Sequence, residues 1–354
     1  MSGRWDLPAL TVGEFAPNFD AASRTNPRYH FSTVAGCYAL LAFMPPERER
    51  RARALAALER VRPLFDGARL AAFLVAAAPQ DDMADAVPGL RWLFDPDGAI
   101  ARLYGAESEP AWFLVDPTLR LLHRAPIDDA EEVLRRIETL PALDAHAGAP
   151  LVAPVLIVPR VFEPELCRRL IAYYDARGGS PSGVMRDVDG RTVGVLDPMK
   201  SRSDVHIAEA EFRTELIERL VRNLVPMIHR ALQFRATRLE RYVVGCYDAA
   251  SEGRFRPHRD NTSLGTAHRR FAASINLNAE DYEGGDLRFP EFGTRTYRPP
   301  TGGACVFCCS LQHEATPVTK GRRYAFLPFL YDEAGQAIRE RNAAFLDTAR
   351  PTAP

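Results

Sequence analysis

The chain has 354 residues, of which 46% are hydrophobic and 26% charged, an ordinary composition for a globular protein with room for two domains. Its 45 Lys and Arg balance 46 Asp and Glu, and the net charge of -1 gives no general attraction to nucleic acid or to an anionic membrane. The N-terminal residues lack the pattern of a signal peptide, and the longest apolar run, residues 70–78, is too short to span a bilayer. We therefore expect a cytoplasmic protein that binds neither nucleic acid nor membrane.

The first half alternates apolar runs with amphipathic segments. Residues 38–44 and 68–78 are apolar enough for buried strands, and residues 48–65 between them have helical periodicity. Residues 128–140 predict a further helix with acidic residues in its first turn. The order strand, helix, strand predicts an α/β domain over residues 1–140.

The second half is organised differently. Residues 141–154 are rich in Pro and Ala and lack periodicity, which predicts a linker. Helices are predicted at 162–179 and 211–232, and short strand-like runs separated by glycine-containing turns follow them. This order predicts a helical layer against a β-sandwich or jelly roll over residues 155–333, with a C-terminal tail at 334–354.

The stretch FRPHRDN places His258 and Asp260 two residues apart. On an extended strand such positions point the same way, so the imidazole and the carboxylate would converge as an ion pair, an acid/base couple or two metal ligands. His313 follows another strand-like run and supplies a third ligand. Two histidines and one carboxylate at one point form the facial triad of non-haem Fe(II) oxygenases, which leaves metal positions open. The histidines of this half that we expect to be structural or solvated are His206, His229 and His268.

A keto-acid cosubstrate of such an iron needs a cation for its distal carboxylate, and arginine binds a carboxylate bidentately. Arg323 alternates with Ala325 and Leu327 on an apolar face, where an unpaired guanidinium would be costly. We predict Arg323 as this ligand and rank its neighbour Arg322 second. The arginines left open between a solvated rim and a substrate-facing role are Arg254, Arg256, Arg259, Arg269 and Arg270.

Three stretches of the second half resemble the prolyl 4-hydroxylase branch of the 2-oxoglutarate- and Fe(II)-dependent dioxygenases: CYDAASEGRFRPHRDN, SINLNAEDYEGGDLRFPEFG and LQHEATPVTKGRRYAF. The resemblance implies a double-stranded β-helix in which Arg323 binds 2-oxoglutarate and Tyr247 contacts it, although Tyr247 also suits a packed core position. Asn276 stands where animal relatives have an aromatic residue before Leu-Asn, and its amide could replace a second cosubstrate hydroxyl. The residues implied as iron ligands and catalytic centre are His258, Asp260 and His313.

The resemblance also implies a reaction. The enzyme would use O2 to hydroxylate a C–H bond of a prolyl or other residue in a protein or peptide, releasing succinate and CO2, with ascorbate as a further candidate cofactor. Two alternatives remain open. One is a hydroxylase of a free amino acid or small metabolite in biosynthesis, and the other is a non-catalytic binding scaffold.

The first half resembles the peroxiredoxin branch of the thioredoxin fold through VGEFAPNFDAAS, ALLAFMPP, LFDPDGAIARLYG and PAWFLVDP. Peroxiredoxins have a nucleophilic cysteine at the helix that follows the FxP turn, whereas this chain reads FMPPERERRARAL, and Cys37 precedes the strand instead. We predict a catalytically degenerate domain with a cis peptide bond at Glu109–Pro110. Its role is open between docking a polypeptide, either the substrate or the twin subunit of a homodimer, and stabilising the chain.

Overall fold

The computed structural model describes residues 10–24, 26–79 and 89–346. The chain divides into two compact units, residues 1–152 with 290–294, and residues 153–289 with 295–354. Each unit has its own apolar core. Within the described ranges, none of the helices combines the length and the apolar composition that crossing a membrane requires.

The first unit is built on a mixed five-stranded sheet. Its helices in the described residues are α1 (Arg48–Arg60), α2 (Ala99–Tyr104) and α3 (Ala130–Glu138). Its strands there are β1 (Asp20–Ala21), β2 (Tyr29–His30), β3 (Tyr38–Phe43), β4 (Leu70–Ala76), β5 (Leu90–Phe94), β6 (Ala111–Val115) and β7 (Leu121–Pro126). The sheet order is β5-β4-β3-β6-β7, in which β3, β4 and β5 are parallel and the other pairings are antiparallel.

Apolar layers cover both faces of this sheet. Leu41 of β3 packs on the side of Phe31 and Tyr104, whereas its neighbour Leu40 packs on the side of α1 and α3. A strand that is buried on both faces has a continuous apolar sequence, as in YALLAF. The first unit is therefore an α/β unit, as predicted.

The prediction of a cis bond at Glu109–Pro110 is wrong, because this peptide bond is trans. Trans is the intrinsically favoured isomer of an X–Pro bond, by about 0.5–1 kcal/mol. The chain enters β6 directly after Pro110, whose carbonyl accepts a hydrogen bond of 2.8 Å from the amide of Ile127.

Helix α1, which follows the FMPP turn, contains a buried arginine and no cysteine. Arg51, buried on α1, donates through Nη1 to the carbonyls of Pro45 and Pro46, at 3.2 and 2.9 Å. Cys37 is buried and lies within 3.0 Å of the Val34 carbonyl, and burial raises the pKa of its thiol to about 12. A thiol of that pKa is a poor nucleophile at neutral pH.

The second unit consists mainly of short strands. Its helices in the described residues are α4 (Pro164–Arg177), α5 (Ala210–Asn223), α6 (Val225–Leu232) and α7 (Glu333–Asn342). Its strands there are β8 (Leu156–Val158), β9 (Ser180–Pro181), β10 (Val184–Val188), β11 (Arg191–Val195), β12 (Lys200–Ser201), β13 (Ser203–His206), β14 (Arg238–Glu240), β15 (Val243–Asp248), β16 (Arg254–His258), β17 (Phe271–Asn276), β18 (Glu283–Gly284), β19 (Leu287–Arg288), β20 (Thr296–Tyr297), β21 (Ala304–Cys308), β22 (His313–Ala315), β23 (Val318–Lys320), β24 (Arg322–Phe326) and β25 (Phe329–Tyr331).

These strands form two main antiparallel sheets. The larger has the order β14-β25-β17-β24-β15-β13-β9, and β21 and β8 extend it from β17. The smaller has the order β12-β16-β22-β19-β20. Helices α4, α5 and α6 pack on the larger sheet through one apolar cluster, so the predicted helical layer is present. The finer prediction, a double-stranded β-helix, stays a prediction.

Two helical segments differ from the prediction. The helix predicted at 211–232 is two helices, α5 and α6, because Pro226 has no amide hydrogen and would clash with a preceding carbonyl inside a continuous helix. The segment predicted as a C-terminal tail begins with α7. Asp332 caps α7, and its carboxylate accepts a hydrogen bond of 2.8 Å from the amide of Gly335.

Candidate metal centre

The pairing of β16 with β22 brings two distant histidines together. His258 at the end of β16 is the register partner of His313 at the start of β22. Asp260 follows two residues after His258, and its amide donates a hydrogen bond of 3.0 Å to the carbonyl of Cys309. The pairing therefore fixes both the second histidine and the segment that carries the aspartate.

The three side chains converge on one point. Asp260 Oδ1 is 3.6 Å from His258 Nε2, and Asp260 Oδ2 is 3.3 Å from His313 Nε2. One ligand atom from each residue lies within 4.8 Å of the other two. This spacing and donor set suit a first-row divalent metal held on one face.

Backbone carbonyls orient both imidazoles. His258 Nδ1 is 2.8 Å from the carbonyl of Arg256, and His313 Nδ1 is 3.0 Å from the carbonyl of Leu311. Because a carbonyl can only accept, each Nδ1 carries the proton, which leaves the Nε2 lone pair free toward Asp260. This is the tautomer that a metal ligand requires.

The protonation states also suit metal binding. Burial and the neighbouring His313 lower the pKa of His258 to about 4. Burial alone would raise the pKa of Asp260, but the two imidazoles hold it well below its ordinary value. At neutral pH His258 is therefore a neutral imidazole and Asp260 an ionised carboxylate, which are the forms that coordinate a metal.

Arg323 lies in the same cavity as the three candidate ligands, between the two sheets. Its side chain is 2% exposed, and Nη2 donates to Ser274 Oγ at 2.8 Å. Nε and Nη1 are buried without a hydrogen-bond partner. Leaving buried charged donors unsatisfied is costly, so the guanidinium fits a missing anion such as the distal carboxylate of a keto acid.

The surroundings of Arg322 and Arg323 agree with the ranking of Arg323 above Arg322 as the ligand of the cosubstrate. Arg322 is exposed and donates through Nε to Asp248 at 2.8 Å, so its charge is already paired outside the cavity. Tyr247, predicted as a cosubstrate contact or a core residue, lines the cavity and is buried. The ring of Tyr247 lies under the Arg323 guanidinium, 5.2 Å from its centroid.

Asn276 is placed differently from the role considered for it. It does not line the cavity, and its amide nitrogen donates to the carbonyl of Pro299 at 2.8 Å. Ser274, two residues earlier on β17, is the residue of this strand that contacts Arg323. The Tyr282 hydroxyl is also buried without a partner, and the Tyr282 and Arg323 side chains both flank Gly285. Tyr282, which like Asn276 is not among the residues that line the cavity, is thus nearer to the Arg323 side chain.

Most of the arginines left open as substrate contacts have partners elsewhere. Arg254 pairs with Glu252, Arg259 with the carbonyl of Ser310, Arg269 with Glu240 and Arg270 with Asp332. None of the five lines the cavity of the candidate metal centre. His268, which we expected to be solvated, is instead buried and contacts Glu240 at 2.8 Å.

Two other arginines line the cavity and were not predicted, namely Arg202 and Arg241. Arg202 lies with Lys200 and Asp204 at alternating positions of KSRSD, across β12 and β13. Three charged residues at alternating positions of a short extended stretch are a usable sequence signal, because a buried charge needs a partner or a function. Arg241 gives no such local signal.

No protein-family model matches the chain. Over 133 residues the chain is 32% identical to procollagen-lysine,2-oxoglutarate 5-dioxygenase 1 of Mus musculus, a match that covers 36% of this chain and 17% of that relative. The chain thus spans less than a fifth of the length of this relative.

Solved structures resemble both parts of the chain. A prolyl hydroxylase of Trichoplax adhaerens, in complex with a peptide fragment of the hypoxia inducible factor oxygen degradation domain, has a TM-score of 0.42 at 18% identity and covers 59% of this chain and 91% of its own. A peroxidoxin of Mycobacterium tuberculosis has a TM-score of 0.32 at 14% identity and covers 38% of this chain and 99% of its own. The predicted two-part resemblance, to prolyl 4-hydroxylase-like enzymes in the C-terminal region and to thioredoxin-fold proteins in the N-terminal region, is confirmed.

Proposed function

We propose that the protein is a 2-oxoglutarate- and Fe(II)-dependent dioxygenase that hydroxylates a C–H bond in a prolyl or other residue of a polypeptide. The observation that carries this proposal is that one cavity holds both a His-Asp-His triad and a buried arginine with unsatisfied donors. The similarity to a dioxygenase named for procollagen lysine supports it.

The triad would hold the iron through His258 Nε2, His313 Nε2 and one oxygen of Asp260. When bound, the iron would supply the chemistry that couples oxidative decarboxylation of 2-oxoglutarate by O2 to hydroxylation of the substrate, with release of succinate and CO2. The chain's own part is to fix the ligands. The two backbone carbonyls keep each imidazole in the metal-binding tautomer, and the Phe255 ring stacks on His258 with centroids 3.4 Å apart.

Arg323 would bind the distal carboxylate of 2-oxoglutarate through the donors that lack a partner. Ser274 fixes the guanidinium from one side, and Tyr247 supports it with its ring. Tyr282 would supply a hydroxyl to the same carboxylate. Aromatic rings also exclude water from the metal side, since Phe307 packs against His313 with centroids 4.4 Å apart.

The test is reconstitution of the full-length protein. Fe(II) and 2-oxoglutarate are added without O2 and their binding is measured, and O2 is then admitted and succinate formation followed. We expect one iron and one 2-oxoglutarate per chain, and succinate that increases when a cell lysate supplies the substrate. Mass spectrometry then identifies peptides or metabolites that gain one oxygen atom. A protein that binds neither iron nor 2-oxoglutarate would be a scaffold, and the proposal would be wrong.

A further inference from the structure

A second group of charged side chains lies beside the candidate metal centre. Arg202 and Arg241 line the same cavity as the triad and Arg323. Asp260 is the sole carboxylate among the described residues that line this cavity. Three guanidinium groups, those of Arg202, Arg241 and Arg323, therefore line this cavity. The carboxylate that lines it with them, that of Asp260, is a candidate metal ligand.

Asp204 pairs closely with Arg202 and makes a weaker contact with Arg241. Arg202 grips both carboxylate oxygens, with Nε 2.6 Å from Oδ1 and Nη2 2.8 Å from Oδ2. Both partners are nearly buried, at 5% and 6% exposure. Arg241 reaches the same Oδ2 through Nη2 alone, at 3.2 Å. Arg202 thus has a bidentate partner. Arg241 has one longer contact to an oxygen that is already bonded and a cation–π contact with the Phe329 ring at 5.5 Å, and its side chain is 25% exposed.

The charges around Arg241 add to this imbalance. Burial and the charge of Arg202 lower the pKa of Arg241 to about 10, so its guanidinium stays charged at neutral pH. Lys200 lies close to these two arginines, and burial and the charge of Arg202 hold the pKa of its amine well below its ordinary value. Its Nζ is bonded to neutral acceptors, the Ser182 hydroxyl at 2.7 Å and the Gly183 carbonyl at 2.8 Å. Arg241 is therefore the surplus cation.

The backbone of Arg241 is also unusual. Its φ of +67° is left-handed, a conformation that costs free energy for a residue with a Cβ. Strain of this kind concentrates at functional sites, where the surrounding structure holds it. The neighbouring Glu240 is turned to a different set of partners, His268 and Arg269.

The charge of the loaded centre points to the missing anion. Two positive charges of Fe(II) and one of Arg323 would balance Asp260 and the two carboxylates of 2-oxoglutarate. Arg202 balances Asp204. Among the described residues that line the cavity, to which Lys200 does not belong, one positive charge remains, that of Arg241, and a bound anion would compensate it.

We propose that Arg241, flanked by Arg202, binds a carboxylate of the substrate and so selects a molecule that carries a carboxylate near the carbon to be hydroxylated. This inference rests on the proposed function. The carboxylate has two sources. It belongs to a free amino acid or other small acid, or to a polypeptide through a neighbouring Asp or Glu or a free C-terminus.

The first arm of the test compares stability. Arg241→Met removes the surplus charge and keeps a long side chain, so we expect the urea midpoint of unfolding to stay the same or rise. Arg202→Met is the matched variant, and it should lower the midpoint because Asp204 loses its bidentate partner in a buried position. A midpoint that falls as far in Arg241→Met as in Arg202→Met would show that Arg241 is a structural partner of Asp204, and the inference would be wrong.

The second arm measures substrate recognition with acid and carboxamide pairs. The panel contains the free protein amino acids with their carboxamides, proline peptides with an adjacent Asp or Glu and the Asn or Gln counterparts, and peptides with free and amidated C-termini. We expect the wild type to form succinate faster with certain acids than with their amides, and the pair that responds identifies the source of the carboxylate. The inference is wrong if none of the acids stimulates succinate formation. It is also wrong if the amides stimulate succinate formation as strongly as the corresponding acids.

For the responding acid, Arg241→Met should lower kcat/KM about 100-fold. It should have little effect on the amide, and Arg241→Lys should restore part of the loss. Binding of Fe(II) and of 2-oxoglutarate should stay at the wild-type level, as in the control Arg235→Gln, which changes an exposed side chain. Weakened 2-oxoglutarate binding in Arg241→Met would assign Arg241 to the cosubstrate and overturn the inference. Failure of the wild type to bind iron or 2-oxoglutarate would instead refute the proposed function.

Discussion

Arg322 and Arg323 are adjacent in the chain and yet lie in opposite environments. Successive side chains of a strand point to opposite faces, so on β24 the first arginine faces solvent and Asp248, and the second faces the cavity. The exposed pair contributes little to stability. The buried guanidinium, with two nitrogens unsatisfied, carries an unfavourable desolvation that a bound carboxylate would relieve.

Arg323→Ala should therefore weaken 2-oxoglutarate binding and leave iron binding intact. Removing one partner of a buried charge pair costs about 2–5 kcal/mol, so the Kd should rise tens- to thousands-fold. The Kd is measured by calorimetry with Fe(II) in the absence of O2. Arg322→Ala is the matched control, since it deletes the same side chain one residue away and should have little effect. A larger effect of Arg322→Ala would contradict the assignment.

The triad gives a second prediction at this scale. His258→Ala, Asp260→Ala and His313→Ala should each abolish stoichiometric Fe(II) binding, because each removes one of three ligands from a site with no described replacement nearby. The fold should persist, which circular dichroism checks. His206→Ala removes an exposed histidine of the same unit and should keep full iron content. A triad variant that still binds one iron per chain would take that residue out of the site.

The sequence alone was sufficient for some of these residues and not for others. His258 and Asp260 are linked by the two-residue period of a strand, and Arg323 stands in a clear alternation with apolar residues. Arg241 offers no such signal, because its neighbours Arg202 and Asp204 are brought close to it only by the pairing of β13 with β15. Long-range pairing of this kind leaves no local pattern to read.

At the scale of elements, a buried network ties β14 to the segment that carries Asp260. Glu240, the last residue of β14, contacts His268 at 2.8 Å and Arg269 at 2.5 Å. Arg269 in turn donates through Nη1 to the carbonyl of Asp260 at 3.3 Å. Through this hydrogen bond the network holds the backbone of Asp260, a candidate metal ligand.

Glu240→Gln tests this network through pH. Burial would raise the pKa of Glu240, but Arg269 and the hydrogen bond from His268 lower it from 4.5 to about 2. The stability gained from the ionised carboxylate, about 3 kcal/mol, is therefore complete above pH 4.5 and is lost as the pH falls toward 2. We expect wild type and Glu240→Gln to differ by about this amount in urea unfolding at neutral pH. The difference should shrink steadily below pH 4.5, and a difference that stays constant would show that ionisation of Glu240 is not its source.

Helices and strands with strong local sequence patterns were predicted correctly, and those without such patterns were missed. Helix α4 and strands β3 and β4 agree with prediction because their patterns are local and strong. The break between α5 and α6 was missed although Pro226 marks it, because the apolar periodicity continues on both sides. Helix α7 was missed because EAGQAIRERN buries only one residue and lacks an apolar stripe.

At the scale of the whole molecule, the two units have separate cores, and the residues of the candidate metal centre all belong to the second. The first unit retains the apolar layers of its sheet, and its helix α1, which follows the FMPP turn, contains no cysteine. The prediction that this unit is catalytically degenerate rests on that missing cysteine and stays a prediction. We hypothesise that it docks a polypeptide, either the substrate or a second copy of the chain.

Residues 150–354 expressed alone test this hypothesis. They contain the triad, Arg323 and Arg241, so we expect them to bind Fe(II) and 2-oxoglutarate with the affinities of the full chain. If the first unit docks a polypeptide, the KM of the shortened protein for a polypeptide substrate should rise while its KM for a small acid stays the same, because a small acid has no segment to dock. Light scattering shows whether the oligomeric state changes with the deletion. An unchanged KM together with an unchanged oligomeric state would reduce the first unit to a stabilising appendage.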